Sequence, residues 1–314
     1  MLMKIMMGKE KSKRLVELIF VLFVFVFDRI CERFSTNFES LSNDILYEIF
    51  EYLDFYYLYS SFSNLNQRFY NLIYHPEIGI KMNTISIPNE QLSHYFNDIL
   101  QPNIHRIGYV SIRSPFDIHL SKFNSIEQLV INNRIDLNQF YDILLCIPQL
   151  HRLSIDYLSE SRSTKDLLLP ISMSNNQLTH ISLRNCSISF QDFSLLTKKC
   201  FSNLQVLRIN TNGIRVYFDG DQWKDLILSS MTKLRIFDFQ SRYRLGYLVD
   251  DTIKSEYQNL IDKFNSSFWI DRQWLFDTEQ ISVNNCIYHL FYSKTSNKYK
   301  SLYLTSFFLQ LSIP

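Results

Sequence analysis

Between residues 82 and 239 one spacing returns seven times: an aliphatic residue, another three positions on, a third two positions after that. It reads Met82, Ile85, Ile87; Ile107, Val110, Ile112; Ile126, Leu129, Ile131; Leu150, Leu153, Ile155; Leu178, Ile181, Leu183; Leu204, Leu207, Ile209; and Leu234, Phe237, Phe239. Successive starts lie 19 to 30 residues apart, the period of architectures that stack one supersecondary unit on the next. Segments 89–100, 137–147, 189–200 and 221–231 carry aliphatics at helical steps between the motifs. A strand–helix unit of this size cannot bury its own apolar side, so neighbouring units must cover it. The spacing predicts an α/β fold of stacked strands with helical returns.

Two of the units are more specific. Leu178-Thr-His-Ile-Ser-Leu-Arg-Asn-Cys186 and Leu204-Gln-Val-Leu-Arg-Ile-Asn-Thr-Asn212 end on Cys and Asn at the ninth place. A small polar side chain there bonds backbone groups where the chain leaves its strand. Ile188, Leu195, Cys200 and Leu204 follow at the remaining core positions of the cysteine-containing leucine-rich repeat, which this array resembles. The resemblance implies a curved leucine-rich-repeat solenoid over residues 77–240, with strands on the concave side. Cys186 and Cys200 read as buried structural thiols.

Ahead of the array, Leu41, Ile45, Leu46, Ile49, Phe50 and Leu53 recur at steps of one to four residues, which places them on one helix face. After a break at Asp54, a second stripe runs through Leu58, Phe62, Leu65 and Phe69. Helices this short bury little core alone. In order, Leu41, Asp44, Ile45, Leu46, Ile49, Phe50, Leu53, Asp54, Leu58, Arg68 and Phe69 match the pattern of the F-box, and residues 35–76 resemble that motif. Ser42 stands where the family has Pro, and Phe69 where it has Trp. The Ser42 hydroxyl is expected to cap the first helix in place of Pro at its start.

The F-box resemblance implies docking to the small adaptor subunit of an SCF-type ubiquitin ligase, and through it to a cullin. The expected contacts are Leu41, Ile45, Leu46, Ile49, Leu53 and Leu58, although the same stripe must also hold the helices together.

Composition excludes more than it selects. A net charge of +1 gives no general attraction to nucleic acid or anionic membrane. The chain has no GxSxG, Walker loop, HExxH or Gly-rich dinucleotide turn, so no enzyme, cofactor or metal is expected. Five scattered cysteines, Cys31, Cys146, Cys186, Cys200 and Cys286, favour a reducing cytoplasmic or nuclear compartment.

Residues 1–34 form an N-terminal extension whose apolar run, Leu15 to Phe27, follows a basic lead and is interrupted only by Glu17. Its 13 residues would span about 20 Å as a helix, short of a hydrocarbon layer of roughly 30 Å. A membrane or interfacial anchor and a signal segment are the alternatives to a functionless extension. They define the rival reading of the chain, a secreted or membrane-tethered leucine-rich-repeat interaction protein. Asn185-Cys186-Ser187 and Asn265-Ser266-Ser267 fit the glycosylation pattern such a protein would use.

Residues 241–314 lose the repeat and are expected to form a C-terminal cap or a substrate-contacting region. A helix is predicted over 250–264, and aromatic strands over 268–276, 287–292 and 302–311. Trp269 and Trp274 are the candidate centre of a substrate-reading surface there.

The third, fifth and seventh places of each repeat motif point away from the core. That puts Tyr109, Arg152, Asp156, His180, Arg184, Arg208 and Asp238 on the open side of the strands. Arg152, Arg184 and Arg208, with His180 and Tyr109, are the candidate substrate-binding residues, a basic stripe suited to an acidic or phosphorylated segment of a target protein. The reading is of a receptor that holds a target beside a separate catalytic subunit, acting by proximity.

Overall fold

The computed structural model describes residues 38–51, 53–75, 79–84, 87, 89–112, 125–161, 177–212, 215–246, 251–283 and 286–294. The chain divides into two compact units, one ending at Ile87 and the other beginning at Pro88. The first expected repeat motif, Met82 to Ile87, therefore falls in the first unit.

The described part of the first unit holds three helices, α1 (Asn43–Phe50), α2 (Phe55–Phe62) and α3 (Gln67–Ile73), followed by strand β1 (Ile80–Asn83). Asp54 starts α2 by accepting the Tyr56 amide at 2.9 Å, and Asn66 starts α3 by accepting the Phe69 amide at 3.1 Å. Ser42 sits at the N-cap of α1 in extended conformation, but its hydroxyl makes no capping bond. The expected cap is corrected: the carboxamide of Asn43 and the carbonyl of Leu41 are held by Arg68 instead.

Phe62 packs between Phe50 and Phe69, each ring centroid 5.5 Å away, and Leu46, Phe55, Leu72 and Ile73 complete the buried set. The second stripe was expected as one run, but it is split between α2 and α3. Leu65 lies in the connecting turn and stands 46% exposed.

The second unit is a mixed α/β fold built on a mostly parallel sheet that does not close into a barrel. It opens with α4 (Asn89–His94), which continues as a π turn and a 3-10 turn to Arg106. Strands β2 (Ile107–Ile112), β3 (Gln128–Asp136), β4 (Arg152–Ser159), β5 (His180–Cys186), β6 (Val206–Asn212) and β7 (Ile236–Gly246) then lie side by side in chain order, all parallel.

Parallel neighbours need a crossover. Helices α5 (Leu137–Cys146), α6 (Phe190–Cys200) and α7 (Gly220–Ser230) supply it after β3, β5 and β6. A reciprocal capping box between Asp136 and Gln139 begins α5, and the Ser189 and Asp219 side chains cap α6 and α7.

The repeat motif maps directly onto this sheet. Its second and third places form two buried ladders in register. One runs through Val110, Leu129, Leu153, Ile181, Leu207 and Phe237, the other through Ile112, Ile131, Ile155, Leu183, Ile209 and Phe239. Its first place, Leu150, Leu178, Leu204 or Leu234, is buried just before each strand.

The parallel run ends at β7. Helix α8 (Asp251–Asp262), a 3-10 turn at Lys263–Asn265 and helix α9 (Ser267–Asp271) lead into hairpin β8 (Phe276–Val283) and β9 (Cys286–Ser293), with β9 antiparallel between β7 and β8. The predicted helix at 250–264 and strand at 287–292 agree with α8 and β9.

The predicted strand at 268–276 is corrected. Its first residues form α9, which closes through bonds from the Gln273 amide to Ile270 and from the Trp274 amide to Trp269, with Gln273 at φ 59°. Aromatic density there reflects packing, not strand pairing: Trp269 is fully buried against Phe264, Phe237 and Phe276. The expected strand at 302–311 lies outside the described residues.

Candidate interaction surfaces

In the first unit, the motif residues divide by burial. Leu46 and Leu58 are at most 2% exposed, so of the two roles the stripe was expected to serve, these two residues take that of core in the helical unit, a correction to their reading as adaptor contacts. Ile45 is 46% exposed, and Leu41, Ile49 and Leu53 are half-buried. Leu65 and Tyr70 add exposed apolar area on the same unit.

The Asp54 carboxyl is less visible in the sequence. Its Oδ2 is shut from solvent without a hydrogen-bond partner, and burial raises the group from the ordinary carboxylate range to about 7 against the pull of the Tyr56 amide. Only the Leu-Asp step hinted at it.

The outward face of the second unit's sheet holds all the expected target-binding residues, but not as one row. Tyr109, Gln128, Arg152, His180, Val206 and Ile236 are register partners across six strands. Arg208 lies two residues farther along, in register with Ser182 and Asp238. Arg184 lies farther again.

The expected stripe of three arginines is therefore corrected to a staggered set with acids interleaved. Arg184 Nη1 donates to Asp156 Oδ1 at 2.8 Å, and Arg208 Nε lies 3.9 Å from Asp238 Oδ2. Both pairs are solvent-facing and stabilise the fold little. They do set the charge pattern of the face. His180 is half-buried, and burial, then the charges of Arg152 and Arg208, push its imidazole below the ordinary histidine range.

The remaining candidates are structural. The Cys186 thiol is pushed up to about 11 by burial, while the Ile188 backbone and the Tyr217 hydroxyl bond its sulfur, consistent with a ninth-place group that ties down the turn off the strand. Burial pushes Cys200 up to about 12, so neither is a reactive thiol. Asn185 donates to the Asp156 carbonyl at 3.0 Å. Trp269 and Trp274 are at most 7% exposed, and Trp274 Nε1 donates to the Arg235 carbonyl. The substrate-reading surface expected there is corrected to an aromatic core.

Among the described residues, no group of His, Cys, Asp and Glu is placed to hold a metal ion, and no helix is long and apolar enough to cross a membrane. Residues 15–27 lie outside the described residues. No family model, curated protein or solved structure matches this chain.

Proposed function

We propose that this chain is a non-catalytic substrate-receptor subunit of an SCF-type cullin–RING ubiquitin ligase. In this reading the helical unit is an F-box that docks the adaptor, and the second unit is a leucine-rich-repeat solenoid whose open sheet face binds the target protein. The observation that carries it is the division of the motif by burial. Leu46, Phe50, Leu58 and Phe69 are spent on the unit's own core, while Ile45 is left open to solvent.

An apolar side chain held outward on a small helical unit favours a partner. Burying an aliphatic side chain yields about 1.5–3 kcal/mol, so several together offset the cost of association. The parallel order of β2 to β7, with leucine-pattern ladders buried inside, supports the repeat reading.

Co-expression of the full chain with a tagged SCF adaptor tests this. The wild type co-purifies, and Ile45→Asp, whose site is exposed enough to leave the fold intact, does not. Equal capture of a folded Ile45→Asp protein sinks the assignment. No observation on the described residues favours the secreted or membrane-tethered reading.

A further inference from the structure

Strand β8 closes the sheet of the second unit, with β9 on one side and, among the described residues, no strand on the other. Which of its backbone groups face outward follows from its start. The Lys294 amide donates to the Leu275 carbonyl at 2.8 Å, and these two residues continue the register of Phe276 with Ser293. In an antiparallel pair every second residue bonds the neighbour, so Asp277, Glu279 and Ile281 turn their backbone groups toward β9. Phe276, Thr278, Gln280 and Ser282 turn theirs to the open edge. The Thr278 amide bears this out, since its acceptor is the Asp277 side chain at 2.9 Å.

Folds ordinarily blunt such an edge with a bulge, a proline, a lysine or a very short strand. β8 uses none of these. It runs for eight residues in unbroken register with β9, and Phe-Asp-Thr-Glu-Gln-Ile-Ser-Val contains no Pro, Lys or Arg. The interior pairs β3–β4, β5–β6 and β7–β9 all carry register shifts. The Asp277 carboxylate guards the Thr278 amide, and the edge at Gln280 stays open. A long, flat, unblunted edge is a template for another strand.

We propose that the open edge of β8 pairs with the same edge of a second copy of this chain, antiparallel about a two-fold axis at Gln280. A second copy brings donors and acceptors at the same alternate residues and a strand of the same twist. A two-fold contact uses one patch twice, so this edge needs complementarity only to itself.

Charge selects the register. An axis at Glu279 would set that carboxylate against its own copy, and an axis at Thr278 would set Asp277 against Glu279 twice. Like charges directly opposite one another are destabilising. The axis at Gln280 sets Glu279 opposite Ile281 and Asp277 opposite position 283, with Gln280 meeting itself. An axis at Ile281 also separates the acids but shortens the ladder. The Thr278 amide then exchanges the Asp277 carboxylate for the carbonyl of position 282 in the partner copy. An edge ladder alone buries less than the roughly 1,600 Å² of a standard interface, so the dimer is weak, dissociating at about 10–100 μM. Adaptor docking plays no part in this inference.

Sedimentation of the full chain from about 1 to 300 μM tests it, bracketing the dissociation range given above. The wild type should pass from monomer to dimer. Gln280→Pro deletes an amide that faces away from β9, at a place where an edge strand tolerates proline. It should stay monomeric with an unchanged thermal midpoint. Gln280→Lys and Gln280→Glu, at an exposed position, should each weaken the dimer by about threefold or more. Mixing these two variants should restore association, because position 280 meets itself on the axis.

A chain that remains monomeric throughout overturns the proposal, and so does wild-type association of folded Gln280→Pro. A Lys–Glu mixture that associates no better than either variant alone overturns it as well. Dimerisation that appears only when the chain is cut after Lys294 overturns it in favour of the chain's own later residues as the occupant of the edge.

Discussion

Arg68 on α3 holds Asn43, 25 residues earlier at the first turn of α1, by two hydrogen bonds to one carboxamide oxygen, at 3.1 Å from Nε and 2.7 Å from Nη2. The same guanidinium donates to the carbonyls of Glu39 and Leu41. One planar fork thus ties together the entry to α1, where Ser42 supplies no cap, and the helix that closes the unit. Arg68→Ala should lower the stability of the first unit by about 1–2 kcal/mol, given that the contacts are partly solvated. Arg68→Lys should restore little of it, since an ammonium cannot reproduce the fork. Urea unfolding monitored through the unit's tyrosines checks both.

Asp54 makes the same unit sensitive to pH. Its carboxyl is raised to about 7 in the fold, above its value of 3.8 when unperturbed. A raised folded value means the native state holds the proton more tightly than the unfolded state. Its contribution is therefore full below about pH 4 and is lost as pH rises through about 7. The urea midpoint should fall from pH 5 to pH 8 in the wild type. Asp54→Asn keeps an oxygen to accept the Tyr56 amide and should flatten that slope. A slope of equal size in the variant would remove Asp54 as its source.

Gly220 opens α7 against the 3-10 turn that precedes α9. A Cβ there would stand 2.9 Å from the Lys263 carbonyl carbon and the Phe264 amide nitrogen, and backbone atoms cannot swing aside. Gly220→Ala should cost about 1–3 kcal/mol in the second unit. The Lys263 contacts to Asp219 and Asp221 should weaken with it. Thermal unfolding of the variant measures this, and a wild-type midpoint would contradict it.

Gln273, at φ 59°, occupies the left-handed position that ends α9. A side chain is strained there, and glycine is not. Gln273→Gly should raise stability by about 0.5–1 kcal/mol after the added freedom of the unfolded chain is subtracted. A lower thermal midpoint would contradict the account of this turn.

The sequence made the sheet legible because burial in a parallel strand repeats every second residue. The second and third motif places accordingly became the two ladders ending at Phe237 and Phe239. The helices between them were legible for the same kind of reason, their 3.6-residue period.

What the sequence could not give was anything set by contacts across many residues. Periodicity assigned Leu46 and Leu58 to a face but could not say that the face was interior. The arginines at 152, 184 and 208 looked like one stripe until strand register staggered them. Trp269 and Trp274 looked like strand residues because aromatic density is shared by strands and cores. Whether a given aromatic meets solvent or Phe264 is decided by the fold around it.

The claim that the helical unit exists to dock a partner is tested most directly by hydrogen exchange on the full chain, with and without an SCF adaptor. The account predicts adaptor-dependent slowing of exchange in α1 around Ile45 and Ile49, with the strands β2 to β7 unchanged. Exchange that is identical in α1 at saturating adaptor would contradict it.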